Sequence, residues 1–150
     1  MAIARLPRTL VNQILQQALR TPDREVCGLI GSRNAIPTRC YPVPNVSPEP
    51  QRLFEMDPQG QIEAMRQMRE RGETLFGIYH SHPCAPPLPS ARDVAENQYP
   101  DALYLIVSLN TKGVLELQGF RIRDGQVMPV ELEVTESTEE AAGSAFTHAG

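Results

Sequence analysis

The chain has 150 residues, 41% of them hydrophobic, with a net charge of −4 and a pI near 5.4. That is the size of one domain with room for a substantial core, and the acidic balance, without any run of Lys or Arg interleaved with aromatics, argues against nucleic acid as a partner. The three cysteines, Cys27, Cys40 and Cys84, include no CxxC pair, so neither a disulfide framework nor a thiolate zinc ribbon is indicated, and a reducing cytoplasm fits.

The N-terminal MAIARLPRTLVNQ lacks the apolar run of a signal peptide, and no stretch approaches the roughly 18 apolar residues of a membrane span; a soluble, unexported protein is expected. Leu6, Leu10, Ile14 and Ala18 recur every four residues, which predicts an amphipathic helix over 7–20 with Pro7 at its start and Pro22 beyond its end. EVCGLIGS (25–32) and the segment around 38–41 read as two strands of a hairpin turned by Gly31, Ser32 and Asn34. Four prolines in residues 42–51 predict a surface loop, and LFEMD after it reads as a short strand. Asp57 before Pro58 signals a helix start, with Ile62, Met65 and Met68 as its buried face and Gly72 as its stop.

TLFGIYHSH (74–82) is the most strand-like run in the middle of the chain, SARDVAENQ (90–98) starts a short helix ended by Pro100, and ALYLIVSL (102–109) suits a strand buried on both faces. VLELQGFRIR and QVMPVELEV form a hairpin around Asp124 and Gly125. Residues 1–134 are thus expected to form one α/β or α+β domain of three layers, and the small, acidic residues of 135–150 a disordered tail.

The chemistry concentrates in HSHPCAPPLPSARD (80–93). Strand side chains alternate, so His80 and His82 point to one side and Ser81 to the other. Ser90 and Asp93 share one helical face, and a stiff loop with four prolines can fold that face onto the strand end. Two histidines and one carboxylate are the donor set of a catalytic zinc site, with a fourth position left for water. Each half also has a plainer explanation: Ser90-x-x-Asp93 matches a capping box, and the histidines could be hydrogen-bonded residues at a strand end. A hydrolytic site needs a further carboxylate as base, and Glu25, Glu55 and Asp23 are the candidates, with Glu25 alternatively a surface partner of Arg24. Cys84 reads as an incidental loop thiol or as a soft fourth metal donor, and His148 as a free residue.

At fixed spacing, His-x-His, seven residues, Ser, two residues, Asp resembles the signature of the JAMM (MPN-plus) zinc metallopeptidases; EVCGLIG resembles their upstream glutamate strand, and PNVSPEPQRLFEMDP a loop of their compact bacterial members. The resemblance spans about residues 6–134. It implies a cytidine-deaminase-like fold, with a curved mixed sheet between helices, and one Zn2+ held by His80, His82 and Asp93. It further implies Glu25 as the base acting on water and Ser90 as a donor to the oxyanion. With only about ten residues between Asp93 and the next strand, there is no room for the insertions of eukaryotic deubiquitinating members. The implied substrate is the C-terminal Gly-Gly tail of a ubiquitin-like sulfur-carrier protein, trimmed or relieved of an attached amino acid, with the tail bound extended along a sheet edge. A homodimer is one option for assembly. The alternative function is a non-catalytic scaffold that binds a ubiquitin-like partner. A zinc deaminase would want His-x-Glu with Pro-Cys-x-x-Cys, and an amidohydrolase barrel about 250 residues; neither matches.

Overall fold

The computed structural model describes residues 2–136, in the element order β1 (Ile3–Pro7), α1 (Arg8–Arg20), β2 (Cys27–Arg33), β3 (Ile36–Val43), α2 (Pro58–Glu70), β4 (Thr74–His82), α3 (Ala91–Ala95), β5 (Leu103–Ser108), β6 (Glu116–Arg123) and β7 (Gln126–Thr135). The strands form one mixed sheet ordered β1-β7-β6-β5-β4-β2-β3. The β4–β5 and β1–β7 pairs are parallel and the others antiparallel.

Alternation in the central strands builds two cores, one on each face. Leu103, Leu105 and Val107 of β5 join Tyr79, Ile30 and Leu6 beneath Leu10, Val11, Ile14 and Ala18 of α1. Tyr104 and Ile106 join Ile78, Leu29, Phe120 and Ile122 beneath Ala64 and Met68 of α2, with Val94 of α3 packed alongside. The result is the expected three-layer α+β arrangement. Each fully buried Leu or Ile in the middle strand contributes about 1.5–3 kcal/mol, which fixes β4 and its histidine-bearing end against a rigid neighbour. Among the described residues no helix is long and apolar enough to cross a membrane.

Several elements differ from the sequence reading. Residues 3–7, which carry Leu6 of the predicted helical stripe, form a strand paired with β7, Ile3 opposite Glu131; Pro7 ends this strand and stands at the N-cap of α1. The β2–β3 turn is confined to Asn34 and Ala35, at φ 53° and 64°, while Gly31 and Ser32 lie within β2 at a register shift. Both turn residues have positive φ, as in the primed turn that matches strand twist. Pro37 and Pro42 lie in β3, which tolerates them because it is an edge strand. LFEMD forms no strand beyond a single bridge of Met56 to Asn45. In α2 the buried stripe is Ala64 and Met68, one turn apart, and Ile62, about 200° around the helix from Ala64, is 63% exposed. Asp57 caps α2, accepting from the Gly60 amide, and the Asp124–Gly125 turn is as expected. Thr135 closes β7 opposite Pro7; the tail expectation for 137–150, with His148, lies outside the described residues.

One glycine permits the close packing next to the site. A methyl on Gly28 would sit 2.6 Å from the Tyr41 carbonyl oxygen and overlap the Tyr79 phenol. Gly28→Ala is therefore expected to cost about 3 kcal/mol, read as a lower urea midpoint at unchanged slope.

Candidate metal centre and active site

β4 ends in the cleft between the sheet and α3. Ile78, His80 and His82 share its α2 face, while Ser81 turns to the opposite side, where its Oγ accepts from the Val26 amide at 2.9 Å. The antiparallel register pairs Cys27 with His80; two residues further along it, Glu25 falls opposite His82. Glu25, His80 and His82 are all buried, and their ligand atoms lie within 4.8 Å of one another.

The fourth group arrives from α3. Ser90 Oγ accepts from the Asp93 amide at 3.0 Å and Asp93 Oδ2 accepts from the Ser90 amide at 2.8 Å, a complete capping box. The same Oδ2 lies 3.3 Å from His80 Nε2 and 3.9 Å from His82 Nε2, and the two Nε2 atoms are 3.1 Å apart. Three donors at 2.0–2.1 Å from a tetrahedral ion are separated by about 3.3 Å, so this triangle matches the requirement. The His82 Nδ1–H donates to the Pro86 carbonyl at 2.7 Å, which leaves the Nε2 lone pair facing the cluster. The proline loop is itself held by Ser108 Oγ, which donates to the Ala85 carbonyl at 2.6 Å.

The two carboxylates have opposite proton affinities. For Asp93, burial opposes ionisation, but the hydrogen bond and charge of His80, the Ser90 amide and His82 outweigh it and bring the pKa to about 2. For Glu25, burial dominates and pushes the pKa up to about 7, with the charges of His80 and Arg92 working the other way. His82 is pushed below its usual range, first by burial and then by the charge of His80. Either carboxylate could serve as a third metal donor by position. A group already ionised suits metal binding, and one that titrates near neutrality suits proton transfer.

Glu25, His80, Ser90 and Asp93 line a cleft of about 550 Å³ whose far wall is formed by residues 52–56. The Phe54 ring stacks on His80 at 4.4 Å between centroids; a single aromatic after a proline-rich loop carries no spacing signal, and sequence reasoning missed it. Glu55 lines the cleft but is exposed, Asp23 is exposed, and Cys84 is exposed outside the cluster. Glu25 is not a surface partner of Arg24: it is 5% exposed.

The raised pKa of Glu25 bears on stability. The folded state holds this proton more tightly than the unfolded chain, so stability falls as pH rises from the ordinary 4.5 to about 7. Glu25→Gln is therefore expected to stabilise the metal-free protein by up to about 3 kcal/mol at pH 8 and to lose that advantage at pH 4.5, as read by chemical denaturation at the two pH values.

A three-layer α+β domain that gathers two imidazoles and two oppositely shifted carboxylates in one cluster has the make-up of a metal-dependent hydrolase. Residues 7–123 match the family described as prokaryotic homologs of the JAB domain. The chain is 34% identical over 102 residues to the desampylase of Haloferax volcanii, covering 67% of this chain and 73% of that protein. It is 33% identical over 129 residues to the CysO-cysteine peptidase of Mycobacterium tuberculosis, with 85% and 88% covered. The solution structure of a protein from Desulfitobacterium hafniense matches with a TM-score of 0.81 at 32% identity, over 92% of this chain and 96% of that one. The chain belongs to the prokaryotic JAB family.

Proposed function

We propose that this chain is a zinc-dependent peptidase that hydrolyses the bond after the C-terminal Gly-Gly of a ubiquitin-like sulfur-carrier protein. The observation that carries this reading is the convergence of His80, His82 and Asp93 within 3.1–3.9 Å beside a buried, protonatable Glu25. Relatives named desampylase and CysO-cysteine peptidase support the choice of substrate class.

His80, His82 and Asp93 are the zinc donors in this scheme, and a bound zinc ion supplies Lewis-acid activation of water and of the scissile carbonyl. Glu25 takes a proton from the attacking water and delivers it to the leaving amine as the C–N bond breaks. Ser90 Oγ accepts from the Asp93 amide and keeps its own hydrogen for the developing oxyanion. The wall at 52–56 gives an extended tail a surface to lie along, and glycines next to the cut let that tail enter beside Phe54.

Mass spectrometry of ubiquitin-like carriers extended past Gly-Gly, before and after incubation with the zinc-loaded protein, tests the reading. Loss of the extension is expected; unchanged masses across all such carriers would reject it.

A further inference from the structure

Glu25 stands outside the ladder that holds the rest of its strand. β2 begins at Cys27, and the main chain of Glu25 is held instead by the loop across the cleft. Its amide donates to the Pro50 carbonyl at 2.7 Å, and its carbonyl accepts from Asn45 Nδ2 at 2.9 Å. The same Nδ2 donates to the Leu53 carbonyl at 3.0 Å. Asn45 Oδ1 accepts from the amides of Ser47 and Glu55, each at 3.0 Å.

A carboxamide offers two donor hydrogens and two acceptor lone pairs, and Asn45 uses all four on backbone groups. The bond to Ser47 is an ordinary local turn contact. The others reach further: Leu53 and Glu55 flank Phe54, whose ring lies on His80, and Glu25 is 20 positions away along the chain. One side chain therefore ties the backbone of Glu25 to the wall that packs on His80.

We infer that Asn45 is a positioning residue, a single carboxamide that fixes where the Glu25 carboxylate stands over the His80, His82 and Asp93 group. The inference rests on the proposed role of Glu25 as base. Asn45 touches none of the three metal donors, so its loss leaves the metal in place and misplaces the base.

Asn45→Asp is the informative variant, because it keeps the size and the accepting oxygen but replaces the donor to Glu25 and Leu53 with an oxygen facing two carbonyls. Two measurements test the inference. In the metal-free protein, release of the Glu25 carbonyl is expected to quicken hydrogen exchange at the Glu25 amide, which donates to Pro50, at least tenfold in Asn45→Asp, while the Glu55 amide keeps its acceptor; unchanged exchange at Glu25 would overturn the lock. In the zinc-loaded protein, single-turnover cleavage of a Gly-Gly-extended carrier is followed in a double-mutant cycle with Glu25→Gln. Asn45→Asp is expected to slow the step at least tenfold with Glu25 present and less than twofold in the Glu25→Gln background, with zinc content and the visible bands of the cobalt-substituted protein unchanged. Equal losses in both backgrounds would overturn the positioning role and leave Asn45 a structural staple. Thr38→Val, which removes the contacts of the Thr38 hydroxyl with the Gly31 carbonyl and the buried Glu73 carboxylate, both away from the site, controls for destabilisation and should leave the rate alone. If Asn45→Asp does not fold, Asn45→Ser, which can reach only one carbonyl at a time, takes its place in both measurements. A parent protein that cleaves no carrier would instead reject the proposed function, a result separable from faster exchange in the variant.

Discussion

Glu25→Gln is expected to lower carrier cleavage by at least about 10³-fold while zinc content stays near one per chain. The carboxamide keeps the shape of the carboxylate in a site where Glu25 is 5% exposed, so packing is preserved and proton acceptance is lost. General acid–base catalysis by one group contributes about 10²–10⁴-fold, and burial raises the proton affinity of Glu25, the direction that suits a base working near neutral pH. The metal readout separates two roles that position alone permits. If Glu25 were the third donor in place of Asp93, Glu25→Gln would empty the site and Asp93→Asn would spare it. A variant that retains zinc and loses turnover also excludes a scaffold role for any cellular activity it abolishes.

The parts of the site readable from sequence were those fixed by local period. His80 and His82 share a face because strands alternate, and Ser90 and Asp93 share one because a capping box spans three residues; the observed Nε2 separation and the paired cap contacts follow from those two periods. Glu25 was not readable by spacing. Its approach to His82 depends on the β2–β4 register, which joins segments more than 50 residues apart, and only the family resemblance singled it out. The missed strand β1 has the same cause. Its partner lies in β7, and until the Ile3–Glu131 pairing is known, Leu6 falls in step with the helical repeat that follows. Ile62 shows the opposite case: an apolar residue at near-helical spacing suggests a core position, whereas the face that meets the sheet is set by Ala64 and Met68. Asn45 and Phe54 lie in irregular backbone, where no period relates a residue to what it touches.

Asp93 and Ser90 take part in one capping box, yet their substitutions are expected to fail in different ways. Asp93→Asn keeps an oxygen that can accept from the Ser90 amide, so the start of α3 survives, but the negative charge 3.3 Å from His80 Nε2 is gone. Zinc affinity should fall by more than about 100-fold, since even the indirect partners of metal ligands are worth 10–100-fold, and cleavage should fall with it. The metal-free protein should also lose stability. The folded pKa of Asp93, about 2, lies below its ordinary 3.8, so its ionised form is favoured by folding; that contribution, about 2 kcal/mol, is complete above pH 3.8 and is lost as pH falls through about 2. Ser90→Ala leaves this charge in place and should retain zinc. It removes the acceptor for the Asp93 amide, costing about 1 kcal/mol, and the donor to the oxyanion, costing about 10²–10³-fold in kcat. Measured side by side, zinc content and kcat should therefore fall together in Asp93→Asn and separate in Ser90→Ala. A Ser90→Ala protein with normal kcat would reduce Ser90 to a helix cap, and an Asp93→Asn protein with normal zinc affinity would move the third donor to Glu25.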